Sequence, residues 1–191
     1  MTSLVRSALA VLLLLAACQP RQSVRTQSDV RIFQAEHSAA KLIERGRAFA
    51  SVGDTTRAQQ YFAAALENNG DEQVILPMLL AVCVQDGRYR MAVEYARRYL
   101  VRHPRDLGIH FVLGTLYAAL EESVDAEREL RFVVHNDAEN APVRYALAVV
   151  LRDQRNDPLG AHEYFSAYLR LAPGGEHAEE ARASMLLEKT P

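Results

Sequence analysis

Apolar positions fall along the chain in two regimes. Residues 8–15, Ala8-Leu9-Ala10-Val11-Leu12-Leu13-Leu14-Leu15, form an unbroken apolar run. Beyond residue 30 the apolar positions return every three or four residues, the interval that gathers them on one face of an α-helix. The stretch between, from Gln19 to about Ser28, is polar, with Pro20, Arg21 and Arg25 and no apolar period, and reads as a tether. Within the helical region the breaks pair a turn former with a capping residue: Gly53-Asp54, Gly70-Asp71 and Asn156-Asp157-Pro158. Asp106, Ser123 and Asn140 are further N-cap candidates. Pro142 and Pro158 lie in first turns, where a missing amide costs nothing, and Pro77 also falls early in its helix. The pattern predicts helices over 30–51, 55–68, 73–85, 88–101, 107–119, 123–135, 141–154, 158–170 and 176–188. The last has Ala178, Ala181 and Met185 on one face and Glu176, Glu179, Glu180 and Lys189 elsewhere, as expected of a polar cap on the raw end of a helical stack.

Shifting the chain on itself by 34 residues aligns Gly46, Leu80, Gly114 and Ala148, and likewise Phe49, Cys83, Tyr117 and Leu151. Ala58, Ala92 and Ala126 align too, and the fourth copy continues at Ala161, one residue late, which puts a single insertion in the turn between Arg152 and Gly160. Phe62, Ala96, Leu130 and Phe165 form a further column, as do Ala65, Tyr99, Val133 and Tyr168, and Gly70, Pro104, Ala138 and Pro173. Small residues at the Gly46 and Ala58 columns let two antiparallel helices approach closely, and large residues at the Phe49 and Phe62 columns fill the space between them and toward the next pair. Each unit is a helix–turn–helix.

This period and small-large pattern resemble the tetratricopeptide repeat family, with units at about 39–72, 73–106, 107–140 and 141–174. The resemblance implies an all-α, right-handed superhelical solenoid of about four repeats with a C-terminal capping helix, filling residues 30–191. Three departures stand out. His110 and Arg144 take an early column where the family favours an aromatic, Leu80 sits where a small residue is usual, and Glu121-Glu122 replaces the glycine of the third turn. The geometry of that turn is therefore the least determined.

With 49% hydrophobic residues in 191, the chain can bury a core. A formal net charge of -2 removes the cationic surface that nucleic-acid binding needs. Two cysteines cannot make a disulfide framework, but Cys18 has a special context. Arg6 precedes the apolar run, the run is shorter than the roughly 20 residues of a spanning helix, and it ends in Leu15-Ala16-Ala17-Cys18. Residues 1–17 thus read as a secretory signal, and the cysteine directly after Leu-Ala-Ala resembles the lipobox of bacterial lipoproteins. The resemblance implies thioether acylation of Cys18, cleavage before it, and acylation of the new amino terminus. Each buried methylene contributes about 0.8 kcal/mol, so several acyl chains hold a protein in its leaflet where one chain is marginal. Gln19 in place of Asp favours, in that family, sorting to the outer membrane facing the periplasm. Residues 18–29 become the lipidated tether, about 35 Å long if extended over ten residues.

Catalytic signatures are missing: there is no G-x-S-x-G, no phosphate-cradling glycine loop, and His162-Glu163 lacks a second histidine four residues on. The six histidines are scattered without metal-ligand spacing, Cys83 falls in a packing column, and Glu121-Glu122 and Glu179-Glu180 lie at turns and caps. No catalytic residue, metal site, cofactor or small-molecule substrate is expected.

Binding remains. In the resembled family the first helix of each unit lines a concave groove, which projects here onto Ile43 and Arg47, then Pro77, Ala81 and Val84, then Phe111, Thr115 and Ala118, then Tyr145, Val149 and Arg152. The groove is mostly apolar with arginines near each end; Ile43, Pro77, Ala81, Phe111 and Thr115 stand where the family's carboxylate-gripping members carry Lys, Asn and Arg, so it suits a protein segment with apolar anchors. Two functions follow. One is a membrane-anchored scaffold or adaptor in assembly of an envelope complex such as a pilus or secretion system, similar to tetratricopeptide lipoproteins that act as pilotins. The other is a non-catalytic structural subunit of an envelope enzyme or transport complex, with the solenoid buried.

Overall fold

Residues 37–187 are described by the computed structural model, and among them every regular element is an α-helix. Four helical hairpins follow one another: α1 (Ala39–Ser51) with α2 (Thr55–Glu67), α3 (Glu72–Gln85) with α4 (Tyr89–Arg102), α5 (Leu107–Ala119) with α6 (Ser123–Asn136), and α7 (Ala141–Asp153) with α8 (Pro158–Leu171). A ninth helix among the described residues, α9 (Ala178–Leu187), packs on α8. Each helix touches its neighbours in sequence, and α5 also touches α7, the arrangement of a solenoid. The signal, Cys18 and the tether lie outside the described residues.

From α2 to α8 the helix ends fall within one residue of the expected positions. Four local expectations need correction. The first helix does not extend through residues 37 and 38, because Ser38 is its N-cap and accepts from the Lys41 amide, while residues 30–36 lie outside the described residues. Residues 176 and 177 form a turn ahead of α9 instead of its first residues. Ser123 is the first residue of α6, and the cap position belongs to Glu122, which makes no side-chain capping bond. Pro77 sits at the sixth position of α3, past the first turn, and is tolerated there on an exposed face. Asp54, Asp71, Asp106, Asn140 and Asp157 do cap their helices, accepting from Arg57, Gln73, Ile109, Val143 and Gly160 amides.

Size complementarity holds each hairpin together. A Cβ on Gly46 would lie 2.5 Å from the Phe62 ring, and one on Gly114 would lie 2.8 Å from Leu130 Cγ. The two columns therefore face each other across the hairpin. In the second hairpin the sizes are exchanged: Leu80 takes the small-residue column and Ala96 the large one, both buried. Leu80 is thus a swap and not a defect. Ala148 with Phe165 restores the original order, again fully buried. Burying one such large apolar side chain contributes roughly 1.5–3 kcal/mol.

Between hairpins, α3 is apolar almost all round and is buried on two sides. Ile75, Leu79 and Val82 join Leu42, Ala58, Phe62 and Ala65 in a first core cluster. Leu76, Leu80 and Cys83 join the cluster that runs on through Leu113, Leu147 and Phe165 to Ala181. Cys83 is completely buried, and burial pushes its thiol pKa up, so it behaves as a small hydrophobe.

The turns inside the hairpins share one geometry. Gly53, Gly87, Glu121 and Asn156 all have positive φ, at 77°, 67°, 60° and 52°. Asp54, Arg88 and Glu122 amides donate back to Phe49, Cys83 and Tyr117 carbonyls at 2.8 to 2.9 Å, and in the fourth hairpin the Asp157 amide reaches Leu151 across one additional residue. The inserted residue is accommodated within the turn, and the third turn keeps its shape despite Glu121.

Candidate functional site

The first helices of the hairpins lie on a common face, and between α5 and α7 that face opens into a hollow of about 360 Å³. Phe111, Thr115 and Ala118 form one wall, Pro142, Tyr145, Ala146 and Val149 the other, with Gln154 and His177 at the ends. Helical spacing explains the grouping: Phe111, Thr115 and Ala118 recur at intervals of four and three on α5, as Tyr145 and Val149 do on α7. Leu130 and Val150 supply its buried floor. Gln154 Nε2 donates to the Ala118 carbonyl at 2.9 Å, tying the end of α7 to α5. Thr115 is exposed and its hydroxyl donates to the Val112 carbonyl at 2.8 Å, so the walls present mostly carbon.

Beyond Tyr145 a polar lock joins the hollow to α9. The Tyr145 hydroxyl donates to Glu180 at 2.5 Å, its ring stacks on His177 with centroids 4.0 Å apart, and it tilts against Phe165 and Tyr168. Arg152 donates to Glu180 at 3.1 Å, to Asp153 at 2.6 Å and to Ser184 at 2.5 Å, with its guanidinium over the Phe165 ring. Burial, then the Glu180 bond, pushes the Tyr145 hydroxyl above the ordinary phenol range. The Tyr145 bond, aided by Arg152, holds the Glu180 carboxyl below its usual value. The Asp153 bond is the main reason the Arg152 guanidinium is still harder to deprotonate than usual.

The structure brings Phe111, Thr115, Ala118, Tyr145 and Val149 into one hollow. Arg152 and the hydroxyl of Tyr145 are engaged with the capping helix, so part of what reads as groove also docks α9. Ile43 is half-buried against the first core cluster. Arg47 is exposed and its Nε donates to Met78 Sδ at 3.2 Å. Pro77, Ala81 and Val84 are exposed on α3, away from the hollow. Ala146, Gln154 and His177 escaped the sequence reading: Ala146 and Gln154 fall off the aligned columns, and His177 precedes α9, where no repeat supplies a column. His110 replaces the family's aromatic by packing on Phe132 and meeting Glu129 at 2.7 Å, and Arg144 folds back onto the Ala138 carbonyl.

Paired helices stacked in this way define a repeat protein of the helical-hairpin class. Residues 43–106 and 111–176 match the family model described as tetratricopeptide repeat, which is more than half of the chain, and the chain belongs to that family. Among curated proteins none matches it by sequence. Several solved structures share the fold. A tetratricopeptide repeat protein from Parabacteroides merdae is 20% identical over 77% of this chain with a TM-score of 0.69, and the match spans 58% of that chain. MamA is 19% identical, with coverage of 80% and 81% and a TM-score of 0.70. YrrB, described as a tetratricopeptide protein with an unusual peptide-binding site, is 19% identical, with coverage of 78% and 76% and a TM-score of 0.67. At these identities the likeness is one of fold.

Proposed function

We propose that this protein is a scaffold that captures an apolar segment of a partner protein in the hollow between α5 and α7. The observation that carries this reading is the hollow itself: carbon-lined walls on two successive repeats, with Phe111 on one and Tyr145 on the other. Apolar side chains inserted between rigid helices are the usual anchors of segment recognition, and YrrB shows that a solenoid of this fold can carry a peptide site. The lipobox-like Leu15-Ala16-Ala17-Cys18 supports anchoring in a bacterial envelope membrane through an acylated Cys18. A tethered body with a segment-binding hollow suits assembly of an envelope complex such as a pilus or secretion system.

Thr115→Trp tests the reading, because Thr115 is exposed and an indole there fills the hollow without disturbing the core. Partners recovered with the wild-type protein from detergent-solubilised envelope should be missing with Thr115→Trp at unchanged helicity. Identical recovery by both proteins would overturn the groove as the binding site.

A further inference from the structure

We infer that the segment taken by the α5–α7 hollow is cationic around its apolar anchors, carrying Lys or Arg on both sides of them; this rests on the groove reading above. Such a segment complements the charge at the rims of the hollow. At one edge, where α5 and α7 end, Glu121 lies three residues beyond Ala118 and Asp153 directly precedes Gln154. At the opposite edge Glu139 lies three residues before Pro142, and Glu176 directly precedes His177. All four carboxylates are exposed. Asp153 pairs with Arg152, whereas Glu121, Glu139 and Glu176 have no cation within salt-bridge distance among the described residues.

The cations of α7 and of the turn after it are engaged elsewhere, and Arg105, two residues before α5 at the Glu139 edge, is the exposed exception. Arg152 is held by Asp153, Glu180 and Ser184, Arg155 by Glu127, and Arg144 by the Ala138 carbonyl. The asymmetry extends beyond the rims. Residues 121–187 hold thirteen acidic side chains and seven Lys or Arg, whereas residues 88–105 hold six arginines and one acid. The hollow therefore sits in the acidic half of a chain whose total charge is near zero. Exposed rim charges act over roughly one Debye length, about 8 Å at physiological salt, which reaches the flanks of a segment lying in the hollow. Such charges steer encounter and reject like-charged competitors. An anionic or carboxylate-terminated segment would meet Glu121 at one edge, and Glu139 and Glu176 against the single Arg105 at the other, and would find no donor cluster within.

Fluorescein-labelled synthetic peptides test this against the full-length protein carrying Cys18→Ser. Three peptides share a Leu-Phe-Ser-Ala-Leu core and differ only in triplets of Lys, Ser or Glu on each side. The Lys-flanked peptide should bind at least about tenfold tighter than the Glu-flanked one, with the Ser-flanked peptide between, and the spread should shrink in about 0.5 M salt. Combining Glu121→Gln, Glu139→Gln and Glu176→Gln, all at exposed positions, should reduce the spread to about twofold while a circular dichroism melt confirms the fold. Equal binding of all three peptides, abolished by Thr115→Trp, would overturn the charge inference and leave the groove reading standing. Absence of binding by any peptide, or binding that survives Thr115→Trp, would overturn both.

Discussion

Glu121 occupies a backbone conformation that L side chains adopt at a cost of roughly 1–2 kcal/mol, with φ at 60° where the first two turns place Gly53 and Gly87. Its turn keeps the common shape because the helices on either side fix it: the Glu122 amide still closes on the Tyr117 carbonyl at 2.9 Å. Relieving the strain should stabilise the protein. Glu121→Gly is expected to gain about 1 kcal/mol and raise the midpoint of a thermal melt by about 2–4 °C, and a lowered midpoint would contradict that. Glu122 differs, since its carboxylate meets only the exposed Arg90, and Glu122→Ala should be near neutral. Gly114 is the opposite case to Glu121, because no side chain fits there: a Cβ would already lie 2.8 Å from Leu130 Cγ. Gly114→Leu should destabilise by roughly 1–3 kcal/mol through overpacking. Urea denaturation that gave the wild-type midpoint would show that the facing columns have been mispaired. Of these residues Gly114 was legible in the sequence, because packing size repeats with the period. At Glu121 the missing glycine was legible, but not that the turn keeps its shape at the cost of strain, because that is imposed by the helices on either side.

Helices in this protein are specified by size as much as by hydrophobicity. The exchange of Leu80 and Ala96 relative to the other hairpins predicts strong coupling. Ala96→Leu alone should cost roughly 1–3 kcal/mol by overpacking against Leu80, and adding Leu80→Ala should recover most of that loss. Additive losses in a double-mutant cycle by urea denaturation would mean that the two side chains do not face each other. The attachment of α9 has a different basis. Its apolar face, with buried Ala178 and Ala181, was readable in the sequence, whereas the lock of Glu180 on Tyr145 and Arg152 was not, since these partners lie outside any single helix face. The lock gives α9 a pH dependence of known sign. The Glu180 carboxyl has its pKa lowered in the folded state from an ordinary 4.5, so its contribution is present above that value and is lost as pH falls through the folded-state value. Amide exchange across α9 should therefore accelerate between neutral pH and about pH 3 more than pH-corrected exchange in α7, and Glu180→Gln should remove the difference. Equal protection of both helices at acid pH would contradict this account.

At the scale of the whole molecule, the 34-residue columns carried the architecture, because a solenoid repeats the same packing problem and so the same residue sizes. The hollow was only partly legible. Phe111 and Tyr145 project from aligned columns, but Pro142, His177 and Gln154 come from cap and turn positions, and Arg152 proved to serve the capping helix. Whether the body is tethered to a membrane depends on Cys18. Cys18→Ser should abolish incorporation of an alkyne fatty acid and either release the protein from the membrane or leave it as precursor; unlabelled wild type that stayed membrane-bound would remove the lipoprotein reading. The central claim is that the face between α5 and α7 holds a partner, and site-specific photo-crosslinking in living cells tests it most directly. A photoreactive residue at Thr115 should yield a discrete crosslinked species, while the same residue at Val101, which is 82% exposed on α4, should not. Identical products from both sites, or none from Thr115, would contradict the claim.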